Sequence, residues 1–258
     1  MQEEIVKETE CEEKGLYVYC AAEYEDASHS LGNIGIENNE VFIITNDGIC
    51  LIAHSCSAKP YDSKNEDEVK AWIKAHHNVI DTASRIFPAV VPFSFNVIVK
   101  GSDPTDIAIN WLVNERDKIL GKIKRIKGKK EYVIQIFWEK AITKNYIMTK
   151  EKFMTLDNEI KNMSKGKAYL YKQKLEKALE EESEKLANEY FKLFYDKVKG
   201  HSEDIKIERN KNTAMLMNVS CLVNDEGVHD LGAELETISN MNEFSVRFVG
   251  PFPSYSFV

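Results

Sequence analysis

The chain has 258 residues, 43% of them hydrophobic and 29% charged, with a formal net charge of −8. These proportions describe a folded globular chain of one or two domains and exclude a disordered, collagenous or disulfide-stapled one. The longest uncharged run, residues 86–99, holds Pro88 and Pro92 and falls short of the ~20 apolar residues a spanning helix needs, so no membrane contact is expected.

The charge has a position as well as a sign. Residues 1–14 carry six glutamates against Lys7 and Lys14, half of the net charge, and read as a solvated acidic segment rather than a signal peptide, because no apolar run follows a basic start. The one basic run is Lys122, Lys124, Arg125, Lys127, Lys129 and Lys130. It closes a helical pattern, where cations complement the negative helix end, and makes no general phosphate-binding surface, so no nucleic acid is expected as a partner. The cysteines are Cys11, Cys20, Cys50, Cys56 and Cys221: odd in number, without a CxxC pair, and consistent with a reducing, cytoplasmic setting.

In chain order, Leu16 to Ala22 is apolar, β-branched and aromatic and predicts a strand. The polar stretch Glu23 to Asn39 leaves room for at most one short helix. Val41–Thr45 and Ile49–Cys56 flank Asn46-Asp47-Gly48, a hairpin signal because those residues tolerate positive φ. From Asn65 to Phe87, Val69, Trp72, Ile73, His76, Ile80, Ala83 and Phe87 recur every three or four residues and predict an amphipathic helix. Val90–Val99 predicts one strand, and Asp103-Pro104 opens a second helix, with Asp as cap and Pro at the first helical position.

The second half repeats the order. Glu131–Trp138 predicts a strand. A helical region runs from about Tyr146 to Lys199 with a break at Ser164-Lys165-Gly166, its later part on the order of 50 Å long. Strands at Ile205–Arg209 and Met215–Val223, a helix at Val228–Met241 and a strand at Phe244–Val249 follow. This is βαββαβ, the split βαβ plan of the ferredoxin-like fold, with a long helical insertion. The first half is a distorted relative of it. The expected organisation is a two-domain α+β protein: an acidic segment 1–14, domains 15–128 and 129–249, and a tail 250–258 rich in aromatics and proline. Pro251 and Pro253 are expected to end the last strand.

Sites of chemistry are sparse. No GxSxG, GxxxxGK[ST] or GxGxxG occurs. Cys50, His54 and Cys56 share one strand face, but Cys50 and His54 would lie ~13 Å apart, too far for one metal ion. His76 lies in an apolar helix stripe and reads as a packed histidine, with a haem ligand as the alternative. The glutamates Glu176, Glu180, Glu181, Glu182, Glu184 and Glu189 alternate with lysines and read as a solvated, ion-paired helix face. Phe252, Tyr255, Phe257 and Val258 are too apolar to be left in water and must pack on the body or on a partner.

Gly250-Pro251-Phe252-Pro253-Ser254-Tyr255-Ser256-Phe257 resembles the closing motif of the GvpF/GvpL family of gas vesicle proteins, with Ser254 where a second proline is usual. Further pieces are collinear with that family: Tyr17-Val18-Tyr19 for its YVYG; His76, Val79 and Ile80; Pro92, Phe95 and their strand, with Ser94 for an arginine and Asn96 for a glycine; Glu131; Gly166, Ala168, Tyr169 and Leu170; and Leu222-Val223. The resemblance covers residues 15–258. It implies a minor or accessory protein of gas vesicles, the hollow shells that give microbes buoyancy. Such a protein would bind the major shell subunit, with other accessory proteins as further partners, to help assembly start. It implies no catalytic residue and no cofactor, and makes Gly250, Pro251, Phe252, Pro253, Tyr255 and Phe257 candidates for partner binding or tail docking. The alternative is an enzyme or haem protein on a duplicated ferredoxin-like scaffold.

Overall fold

A strand buried along almost its whole length organises the first part of the chain. In the computed structural model, which describes residues 13–24 and 31–258, β1 (Lys14–Glu23) is buried from Gly15 to Ala22. Both of its faces are therefore covered, as the unbroken apolar run requires. The expected acidic segment, apart from its last two residues, and Cys11 lie outside the described residues.

β1 pairs antiparallel with β3 (Ile49–Ser57), which pairs with β2 (Phe42–Asn46) across the Asp47-Gly48 turn. On its other side β1 pairs with two short strands, β4 (Val90–Pro92) and β5 (Ile98–Lys100). The helix α1 (Glu66–Ile86) lies between β3 and β4, and Asn65 caps it by accepting from the Asp67 N–H. The helix α2 (Pro104–Ile126) begins as the sequence predicts: the Asp103 carboxylate accepts from the Thr105 and Asp106 amides, with Pro104 at the first position. Among the described residues between β1 and β2, a single turn, Ile36–Asn38, is wound.

The single strand expected over Val90–Val99 is two strands with a loop at Phe93–Val97 between them. Asn96 there has φ of 69°, a left-handed backbone that no continuous strand accommodates. A register shift in β1 between Val18 and Cys20 faces this loop, and each strand donates one amide to the other's carbonyl around it, Phe93 to Tyr19 and Val97 receiving from Val18.

From Lys129 the chain builds a second sheet, ordered β7-β8-β6-β9, from β6 (Lys129–Trp138), β7 (Asp204–Ile207), β8 (Met215–Asn224) and β9 (Phe244–Phe252). Between β6 and β7 stand three helices, α3 (Lys140–Met148), α4 (Glu151–Lys161) and α5 (Lys165–Gly200). The helix α6 (Gly227–Ser239) joins β8 to β9. The helical region thus starts earlier than Tyr146. It also breaks twice: at residues 162–164, overlapping the expected Ser164-Lys165-Gly166 only at Ser164, and at Thr149, whose hydroxyl donates to the Tyr146 carbonyl. The 36 residues of α5 span about 54 Å. Its last turns (Phe194, Val198) pack with α6 on the alternating residues Ile134, Ile136, Met217 and Val219 of the sheet. Its first half (Leu175, Leu179) packs in a separate small core with Ile147, Phe153 and Ile160 of α3 and α4.

The described chain divides into two compact units. One takes the residues up to Gly128 together with Phe252–Val258, the other Lys129–Pro251. The tail expected as a separate segment from Gly250 is therefore divided: β9 runs on through Gly250 and Pro251 instead of stopping at Val249, and from Phe252 the chain belongs to the first unit. Cys20, Cys50, Cys56 and Cys221 are free thiols.

Gly250 has no substitute at its position. Its φ is 150°, and a Cβ there would lie 2.6 Å from Tyr132 Cδ1 and 2.9 Å from the Glu131 carbonyl oxygen. Gly250→Ala should therefore cost about 1–3 kcal/mol and lower the melting temperature followed by circular dichroism; an unchanged midpoint would refute the steric argument.

Candidate functional site

On the α1-facing side of the first sheet, two tyrosine hydroxyls are buried side by side. Tyr17 and Tyr19 alternate along β1, so their rings share a face, with centroids 4.9 Å apart. A buried hydroxyl without a partner costs about 1–3 kcal/mol, so each must be satisfied locally. The Tyr17 oxygen accepts from the Asn96 N–H at 3.0 Å and donates to His76 Nδ1 at 2.9 Å. His76 Nε2 then carries the proton and donates to the Phe93 carbonyl at 3.2 Å. The Tyr19 oxygen accepts from the Ile36 N–H at 3.0 Å and donates to His54 Nδ1 at 2.8 Å, and His54 Nε2 donates to the Tyr61 hydroxyl at 3.0 Å. For His76 the tautomer follows from the Phe93 carbonyl, which only accepts; for His54 it is assigned with the Tyr19 hydroxyl, which already receives an amide proton, as the donor.

Both imidazoles are thereby neutral, and burial holds them so. It lowers His54 and His76 from the ordinary 6.5 to about 4, with the neighbouring His77 adding to the effect at His76 and its bond to Phe93 opposing it. Burial likewise pushes the Tyr17 and Tyr19 hydroxyls well above their usual range, and Tyr61 up to about 12. Aromatic edges close the cluster: Phe95 stands perpendicular to His76, and Trp72 meets Tyr61 edge-on.

His76 is thus a packed histidine, and the haem alternative loses its ligand, since both ring nitrogens are engaged by the protein. His54 is likewise engaged at both nitrogens. Among the described residues no group of three or more His, Cys, Asp or Glu is arranged to hold a metal ion. The cluster's hydrogen bonds tie β1, α1 and the loop 93–97 to one another.

The departure at Asn96 has a structural reading. Asparagine is the residue after glycine that best tolerates the left-handed backbone. Here its amide also clamps the Tyr61 backbone, accepting from its N–H at 2.9 Å and donating to its C=O at 3.0 Å. Nothing in the structure explains Ser94, which is exposed. Pro92 pairs with Cys20 at the sheet edge.

The closing residues dock on the first unit. Tyr255–Phe257 form a single turn, Phe257 is buried, Arg125 Nη1 donates to the Phe257 carbonyl at 3.1 Å, and the Tyr255 hydroxyl bonds His77 Nδ1 at 3.0 Å. Pro253 is half-buried, Ser254 buried, and Phe252 is 42% exposed beside an exposed Gly250 and Pro251. The basic run is spent on such contacts: besides Arg125, Lys127 pairs with Glu23 and Lys130 with Asp225. In the second unit Glu131 is buried in β6, whereas Tyr169 and Leu170 at the start of α5 are 63% and 58% exposed.

Of the residues singled out in the sequence, Tyr17, Tyr19, His76 and Phe95 meet in one cluster, with Tyr255 packed at its margin. Glu131, Tyr169 and Leu170 stand apart in the second unit. Sequence reasoning missed Tyr61, Asn96 and His77 as partners. Tyr61 lies in a polar loop with no periodicity to flag it, and only the strand alternation of His54 with Cys50 hinted at an inward-facing histidine.

Comparison with known proteins agrees with this architecture. The family model described as "Gas vesicle synthesis protein GvpL/GvpF" matches residues 15–258. The chain belongs to the GvpL/GvpF family. It is 24% identical to gas vesicle protein L of Haloferax mediterranei, over 90% of this chain and 75% of that one. It is 23% identical to gas vesicle protein L1 of Halobacterium salinarum, over 94% and 90%. The crystal structure of GvpF from Anabaena sp. PCC7120 superposes with a TM-score of 0.76 at 16% identity, covering 95% of this chain and 98% of that one. GvpF from Microcystis aeruginosa gives 0.67 at 16% identity, covering 94% and 98%.

Two predictions test the cluster. The folded chain holds His54 and His76 at about 4 and the open chain at 6.5, so the unfolded state binds more protons between those values. Stability should be full above pH 6.5 and fall as pH drops towards 4; urea midpoints that do not move across this window would contradict the buried neutral pair. Asn96→Gly loses the clamp alone, whereas Asn96→Ala also carries the left-handed strain. Alanine should therefore be the less stable variant by about 1 kcal/mol in urea unfolding.

Proposed function

We propose that this protein is an accessory protein of gas vesicle assembly. It binds the major shell subunit in the cytoplasm and assists nucleation or growth of the vesicle, with other gas vesicle accessory proteins as further partners. The observation that carries this reading is the family match over residues 15–258, which spans both compact units. The absence of a catalytic constellation or metal cluster among the described residues fits a protein that works through surfaces. No helix of the described residues is long and apolar enough to cross a membrane. The order β6-helices-β7-β8-α6-β9, with sheet order β7-β8-β6-β9, supports reading the second unit as a ferredoxin-like domain with α3 and α4 inserted before its first long helix.

The tail supplies a contact surface. Tyr255 and Phe257 anchor it, and the end of β9, Gly250-Pro251-Phe252, is left exposed for the subunit. Shell subunit synthesised in the presence of the tagged chain should be co-purified with it. Phe252→Ser should weaken capture several-fold without shifting the melting temperature, because that side chain is half in solvent already. Failure of the full chain to capture the subunit would defeat the shell-binding reading; equal capture by Phe252→Ser would move the contact away from the tail.

A further inference from the structure

The glutamates of α5 lie on an exposed face but differ in their partners. Glu182 pairs with Lys150 at 2.5 Å and Glu181 with Lys177 at 3.9 Å. Glu176, Glu180 and Glu184 have no such cation within reach among the described residues, and all three line the same cleft of about 860 Å³ in the second unit. The cleft runs between the middle of α5 and the segment leading into β8, and it is at the upper end of the ~300–1,000 Å³ usual for binding pockets. Its apolar lining includes Trp138, Leu179, Phe191 and Met215. Lys144 is the one lysine or arginine in it.

The spacing is informative. Residues 176, 180 and 184 are four apart, so their carboxylates climb one helix flank in steps of about 6 Å over about 12 Å. That is too far apart to share a metal ion and matches the spacing of cations at i, i+4 and i+8 on a second helix laid alongside. Three exposed carboxylates give little affinity one by one but select the sign of the partner and speed its approach, the more so on a chain of net charge −8. The apolar side chains are what would reward a close fit.

We infer that this cleft is a docking site for a cationic amphipathic helix of another protein, with lysines or arginines every fourth residue against Glu176, Glu180 and Glu184 and an apolar flank against the Trp138–Phe191 side. The inference does not depend on the shell subunit being the partner of the tail.

The test is fluorescence anisotropy of the full chain with two labelled model peptides. One is a leucine-rich helix with lysine at every fourth position, the other its glutamate counterpart. The lysine peptide should bind saturably and more weakly as ionic strength rises, and the glutamate peptide should not bind. The triple variant Glu176→Gln, Glu180→Gln and Glu184→Gln should weaken the lysine peptide at least about tenfold. Ala214→Trp, at an exposed position lining the cleft, should block it while leaving the fold intact by circular dichroism. Absence of binding, equal binding of both peptides, or lysine-peptide binding unaffected by either variant would overturn the inference. Blocking by Ala214→Trp without loss in the triple variant would also overturn it, in favour of an uncharged apolar ligand.

Discussion

Two phenolic hydroxyls in a place without water govern the first unit. Tyr17 and Tyr19 project from a strand buried from Gly15 to Ala22, and neither can be left unsatisfied. Their solution recruits a donor and an acceptor each: an amide from the loop at Asn96, an amide from the turn at Ile36, and one imidazole from α1 and one from β3. Each of these needs a further partner, and the chain of bonds ends only at the Phe93 carbonyl and at Tyr61, where Asn96 reappears as the clamp. Segments far apart in sequence are thus tied to one strand face by directional bonds rather than by apolar area alone. Apolar packing would tolerate a shifted loop; a two-ended imidazole does not.

The second unit follows another rule. Its sheet core is built by alternation, with Ile134 and Ile136 facing Met217 and Val219 under α5 and α6. The excess length of α5 is stabilised by a second, smaller core with α3 and α4. Leu186 packs against both cores, so α5 passes from one to the other at that turn. The cleft lies along this intermediate stretch, where Ser183, Glu184 and Ala187 line it between Leu179 and Phe194.

Elements with strong periodicity were legible in the sequence: α1 from its stripe, α2 from Asp103-Pro104, the hairpin from Asp47-Gly48. The split of β4 from β5 was not, because Phe93 to Val97 is apolar and β-prone, and only the left-handed Asn96, read with the hydroxyl it serves, betrays a loop. The break at Thr149 was hidden for a similar reason: no glycine or proline marks it, and a threonine hydroxyl competes locally for the carbonyl. The tail's apolar character correctly demanded a surface. That Arg125, read as part of a solvated helix end, would hold its Phe257 carbonyl is a contact between residues 132 apart that no local pattern encodes. The candidate cluster was half visible: Tyr17, Tyr19 and His76 stood out as motif residues, but their purpose needed Asn96, visible only as a departure from the motif, and Tyr61, which carries no signal of its own.

The docking of Phe252–Val258 also orders events in time. The residues that complete the first unit leave the ribosome only after the whole of Lys129–Pro251 has been made, so β1, α1 and α2 wait without Phe257 and Tyr255 while the second unit is synthesised and free to fold. Closing the first unit then means capturing its own distant end across an entire intervening unit, a long-range step of the kind that slows folding. A chain interrupted anywhere in its second half would carry a first unit with an open seam at His77 and Arg125.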